Sequence, residues 1–196
     1  MTFITTDYSN LETQGGYEAL PTGEYEVFIA KAGENATPSG AETLQLDLIV
    51  RNDLVSVPAL AATNGKYANR HVFMDNWKRK ATQQYDTESF MYILQAVGVP
   101  AGTQVSSVES FINLINGKPA RVYIKKEIDS YNTTDQSNPV YRNAVAPWNF
   151  SATKFMDVNH TGREEQPQAQ QTQQQPQQDP FAGNGPIEVN KEDLPF

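Results

Sequence analysis

The chain has 196 residues, a formal net charge of −8, two histidines and no cysteine, enough length for one ordinary domain plus extra segments. The lack of cysteine excludes disulfides, thiolate metal sites and cysteine nucleophiles, and it fits a reducing compartment. No apolar run approaches a membrane span and "MTFITTDYSN" lacks a secretory signal, so the expected location is the cytoplasm with no membrane partner.

The first regular pattern is "GEYEVFIAKA", residues 23–32, which alternates Tyr25, Val27 and Ile29 on one face against Glu24, Glu26 and Phe28 on the other, as a half-buried strand does. "PSG" at 38–40 is turn chemistry. "ETLQLDLIVRND" then sets Leu44, Leu46, Leu48 and Val50 against Gln45, Asp47, Ile49 and Arg51, which predicts a hairpin with the first strand. "RHVFMDNW" predicts a third, shorter strand reached through a Gly- and Asn-containing loop.

The period then changes. "DTESFMYILQAVG", residues 86–98, offers Asp86 or Thr87 as an N-cap, places Phe90, Ile93, Leu94 and Val97 at helical spacing, and stops at Gly98. "SVESFINLING" predicts a second short helix with Val108, Phe111, Ile112 and Ile115 apolar and Gly117 as its stop. Strands return in "KPARVYIKKEID", with Val122 and Ile124 inward against Arg121, Tyr123 and Lys125, and in "VYRNAVAPWNF", a last strand closing near Pro147. Three strands, a helical insertion and two strands predict a mainly β fold, a five-stranded barrel of the oligonucleotide-binding type with the helices between strands 3 and 4.

Composition shifts after about residue 160. Nine of the thirteen residues 166–178, "QPQAQQTQQQPQQ", are Gln, and such a stretch buries too little apolar surface to offset its ordering entropy. The expected organisation is a folded domain over 1–160 and a disordered C-terminal tail over 161–196, interrupted by the apolar islands "DPF" and "DLPF". From residue 163 onward there are two basic and six acidic residues, so half of the net charge of −8 lies in the tail. The positive residues of the body are grouped, so its negative sum does not exclude a nucleic-acid partner.

No catalytic cluster is visible. His71 and His160 lack a partner at metal-ligand spacing, and neither Gly-x-x-x-x-Gly-Lys-Ser/Thr nor Gly-x-Ser-x-Gly occurs. The expectation is therefore a protein without enzymatic activity, cofactor or metal. What the body does show is cations interleaved with flat rings, the combination needed to track phosphates and stack unpaired bases. "NRHVFMDNWKRK" supplies Arg70, Phe73, Trp77, Lys78, Arg79 and Lys80; "ARVYIKK" supplies Arg121, Tyr123 and Lys125 on one strand face; "VYRNAVAPWNF" supplies Tyr141, Arg142 and Trp148. Against this stand ordinary alternatives: Phe73 and Trp148 as core aromatics, and Lys78 to Lys80 as a solvated loop.

The acidic tip Glu192, Asp193, Leu194, Pro195, Phe196 beyond a Gln/Pro-rich linker resembles the tail of bacterial and phage single-stranded-DNA-binding proteins. The opening "TTDYSN", the strand "PTGEYEV", "LQLDLIVRND" and "NRHVFMDNWK" are similar to phage-encoded members. The resemblance implies an oligonucleotide-binding fold that coats single-stranded DNA in replication, recombination and repair, and recruits partner enzymes through those five residues. It leaves a homo-oligomer open, and Lys191 interrupts the acidic run typical of the family. The alternative from another class is an adaptor of the replication machinery on the same barrel, with little DNA binding of its own.

Overall fold

A computed structural model describes residues 18–162, which, apart from Gly162, belong to one unit spanning 1–161. The opening "TTDYSN", the Gln-rich tract and the acidic tip lie outside the described residues. The protein is mainly β: β1 (Gly23–Ala36), β2 (Glu42–Val50), β3 (His71–Trp77), β4 (Pro119–Ile128), β5 (Tyr141–Ala144) and β6 (Phe150–Ser151) form antiparallel ladders in the order β3-β2-β1-β4-β5, with β6 added to β4. A short helix α1 (Asn64–Tyr67) precedes β3, and α2 (Thr87–Ala96) and α3 (Val108–Ile115) lie between β3 and β4. The order and the helical insertion are consistent with the expected oligonucleotide-binding type of fold.

β1 organises the sheet because it is long enough to serve two neighbours. Gly23–Phe28 pair with β4, whereas Val27–Ala36 pair with β2, and the register shifts between Ile29 and Lys31. An extra residue there bends the strand and raises its twist, which curls the sheet round its apolar face. That face carries the alternating residues expected of it: Tyr25, Val27, Ile29, Leu44, Leu46, Leu48 and Val50 are all buried, joined by Val72, Met74, Val122 and Ile124. The curl leaves the sheet open, because no ladder joins β3 to β5 among the described residues.

The helices close one side of this core. Asp86 caps α2 by accepting from the Glu88 amide at 3.2 Å, and Ser107 caps α3 by accepting from the Ser110 amide at 3.0 Å. Both stop at glycines in the left-handed region, Gly98 (φ 81°) and Gly117 (φ 73°). Ile93, Phe111 and Ile115 reach the core, and Phe111 stacks on Phe90 at a ring separation of 4.4 Å.

Three expectations change. The last strand is not continuous: β5 ends at Ala144, and a turn over Pro147–Asn149 carries Trp148 off the sheet before β6 rejoins β4. Pro147 has no amide for a ladder, and the Asn149 side chain takes the Ala146 amide at 2.9 Å, so the strand breaks there. The loop before β3 contains α1, whose fully buried Asn64 accepts from the Glu26 amide and donates to the Glu26 and Arg51 carbonyls. Finally, Glu26 and Arg51, expected on the polar face, are both buried. Arg51 chelates Asp53 (3.0 and 2.5 Å) and donates to the carbonyls of Phe155 and Asp157, so a strap formed by residues 152–161 covers the outer side of the sheet there.

Candidate nucleic-acid interface

β3 alternates strictly, burying Val72, Met74 and Asn76 and turning His71, Phe73, Asp75 and Trp77 outward. Phe73 is 54% exposed and Trp77 45% exposed, so neither is a core aromatic. They sit on one face about 13 Å apart at the rise of a strand.

At the start of β3 a cleft of about 470 Å³ opens between the unpaired edges of β3 and β5. It is lined by Asn69, Arg70, His71 and Phe73 from one side and Tyr141, Arg142 and Asn143 from the other. Four predicted residues some seventy positions apart, Arg70, Phe73, Tyr141 and Arg142, thus meet in one place. Asn143 is committed to structure, its amide bonding both the N–H and the carbonyl of Leu20 at 2.9 Å. Arg70 donates to the Glu18 carbonyl at 2.6 Å, and Arg142 makes a forked contact with Glu127 at 3.0 and 2.8 Å. Lys126 lies 4.8 Å above the Tyr141 ring. His71 is held by Asp47 at 2.8 Å and lies nearly parallel to Phe73 at a ring separation of 6.4 Å.

At the other end of β3, Trp77 leads into Lys78, Arg79 and Lys80. Lys78 bonds Glu42, approaches Glu34 at 3.7 Å and lies 5.1 Å over the Tyr85 ring; its hydrogen bond to the Glu42 carboxylate raises its pKa. Arg79 pairs with Asp86 at 2.5 Å and holds that carboxyl below its ordinary pKa, tying the basic run to the cap of α2. Lys80 and Lys125 form no ion pair among the described residues. The pairs at Arg79 and Arg142 join exposed partners and are worth little, so phosphates can exchange with their carboxylates at small cost.

On β4, Arg121, Tyr123 and Lys125 share an outward face beyond β1, apart from the cleft. Arg121 contacts Glu26 at 3.1 Å and Glu24 at 3.4 Å, and with Glu26 only 1% exposed its first task is to neutralise a buried carboxylate. Tyr123 is 38% exposed. Trp148, 66% exposed on its turn, is likewise outside the cleft.

Sequence reasoning passed over Tyr131, which is 92% exposed in the β4–β5 loop. Asp129 accepts from the amides of Tyr131 (3.1 Å) and Asn132 (3.3 Å) and from the Asn132 side chain (2.7 Å), fixing the turn that presents the ring. An aromatic inside an Asp-x-x-Asn turn was the available signal. Among the described residues no group of three or more His, Asp or Glu is arranged to hold a metal, and no helix is long and apolar enough to cross a membrane.

Fold and site together define a curled, open antiparallel sheet of the oligonucleotide-binding type that presents flat rings and cations at its third and fifth strands. The chain belongs to the family described as "Protein of unknown function (DUF669)", which matches residues 4–169. No curated protein matches it. Among solved structures it is similar to yeast RPA bound to ssDNA, with 14% identity and a TM-score of 0.28 over 74% of this chain and 88% of that one.

Proposed function

We propose that this protein binds single-stranded DNA with little sequence preference, through phosphate contacts and base stacking, and without catalysis. The observation that carries the reading is the cleft between β3 and β5, where Arg70 and Arg142 flank Phe73 and Tyr141. Phe73 and Trp77 continue the exposed rings along β3, and Tyr131 projects from the neighbouring loop. Cations that follow a backbone beside rings that accept any base suit sequence-tolerant binding. Resemblance of the strand motifs to phage-encoded proteins supports a role in coating DNA during phage replication and recombination, in a bacterial cytoplasm. The acidic Pro-Phe tip would recruit partner enzymes.

The test is fluorescence anisotropy with labelled oligo-dT at two salt concentrations. Binding is expected to weaken steeply with salt as neutralised phosphates release counterions. Trp77→Ala is expected to lose ~5-fold or more in affinity while keeping its circular dichroism, since stacking contributes about 1–3 kcal/mol per base. Absence of binding at low salt would end this reading. It would favour the adaptor alternative, which the pairing of Lys78, Arg79, Arg121 and Arg142 with carboxylates already suits.

A further inference from the structure

The strap that buries Arg51 is attached unevenly. At Phe155 and Asp157 it is held by the fully buried Arg51 guanidinium. Beyond them its contacts lie nearer the surface: the Asn159 amide donates to Asp53 at 3.0 Å, the Asn52 amide donates to Nδ1 of His160 at 3.1 Å, and the Asn52 side chain bonds Thr161. The His160 ring rests on Phe28 with centroids 4.6 Å apart and planes tilted by 51°.

Phe28 belongs to the outward set of β1, opposite the buried Val27 and Ile29, and is half-buried. Its cross-strand neighbour is Ile49, whose neighbour on β3 is His71, so one row of the outer face runs from Phe28 to the wall of the cleft. The strap and the cleft also share a side chain: Nδ2 of Asn52 donates to the Thr161 carbonyl and to Oδ1 of Asn69, each at 2.8 Å, and Asn69 lines the cleft.

From this juxtaposition, and resting on the proposed binding of single-stranded DNA, we infer that Phe28 is a further base-stacking position, which the His160 ring covers until an unpaired nucleobase displaces it. A tilted imidazole offers Phe28 less contact than a larger base lying flat. Releasing it costs one backbone hydrogen bond and the outer strap contacts, while the Arg51 anchor stays in place. A strand leaving the cleft past His71 would cross Ile49 and then reach Phe28 along the row.

The experiment uses the full chain and labelled oligo-dT. His160→Ala is expected to tighten binding and Phe28→Leu, which keeps an apolar side chain but removes the flat ring, to weaken it, each by ~5-fold or more if one base stacks there. In the wild-type protein the Asn52 amide is expected to exchange faster with solvent once oligo-dT is bound, a readout that needs no variant. Unchanged or weaker binding by His160→Ala, wild-type affinity in Phe28→Leu, or an Asn52 amide indifferent to oligo-dT would overturn the inference while leaving DNA binding standing. A wild-type chain that does not bind oligo-dT at all would remove the proposed function, and this inference with it.

Discussion

Arg121 shows how a residue chosen for its charge can be needed first for stability. Its guanidinium, 30% exposed, is the counterion of Glu26: it bonds Oε1 at 3.1 Å, while the buried Oε2 has no hydrogen-bond partner. Removing one member of a buried ion pair costs about 3–5 kcal/mol, and partial exposure of the arginine lowers that, so Arg121→Ala is expected to lose ~2 kcal/mol. The urea midpoint measures this, and a midpoint equal to wild type would free Arg121 to be counted as a simple phosphate contact. His160 supplies a pH dependence. Burial pushes its pKa below 6.5; Asp53 opposes that push, while Arg51 and His71 add to it. A depressed pKa means that the folded state binds fewer protons than the unfolded one, so the contribution to stability is full above pH 6.5 and is lost as pH falls through the folded value. Protonation also ends the ability of Nδ1 to accept from Asn52. The drop in urea midpoint from about pH 7.5 to about pH 5 is expected to be smaller in His160→Gln than in wild type. Equal drops would show that the strap does not sense this proton.

Among the elements, α3 is where burial is most concentrated on one ring. Phe111 is fully buried, packs on Phe90 and belongs to the same core as β1 and β4. Phe111→Ala is expected to cost about 3–5 kcal/mol, read as a lower denaturation midpoint, because the rigid sheet below cannot collapse into the cavity. A loss under ~1 kcal/mol would mean that the helical insertion is stapled on by its caps rather than by its core contacts. Strands β1 to β4 were legible from alternation because each has one face in the core, as in β2, where Leu44, Leu46, Leu48 and Val50 are all buried. Pro147 marked the end of β5, but nothing in the sequence beyond it showed that the chain rejoins β4 as β6.

For the whole molecule the relevant quantity is charge. Residues 163–196 carry six acidic and two basic residues, half of the net charge of −8, and on the proposed function their removal would take away anions able to compete with DNA phosphates. A chain ending at residue 162 keeps the strap and is expected to bind oligo-dT as tightly as the full chain or more tightly at low salt, with the difference shrinking as salt rises. Weaker binding by the shortened chain would place part of the DNA site in the removed residues. By itself the sequence determined strands β1 to β4 and the helical insertion, since each depends on periodicity along a single segment, while it left Phe73 open between core and surface. Only the tertiary structure decided which distant residues share a site: the open β3–β5 edge joins Arg70 and Phe73 to Tyr141 and Arg142, and the strap turns Arg51 inward and lays His160 on Phe28. Neither event leaves a local pattern, because both depend on how far the bulge in β1 curls the sheet and on where the chain returns across it.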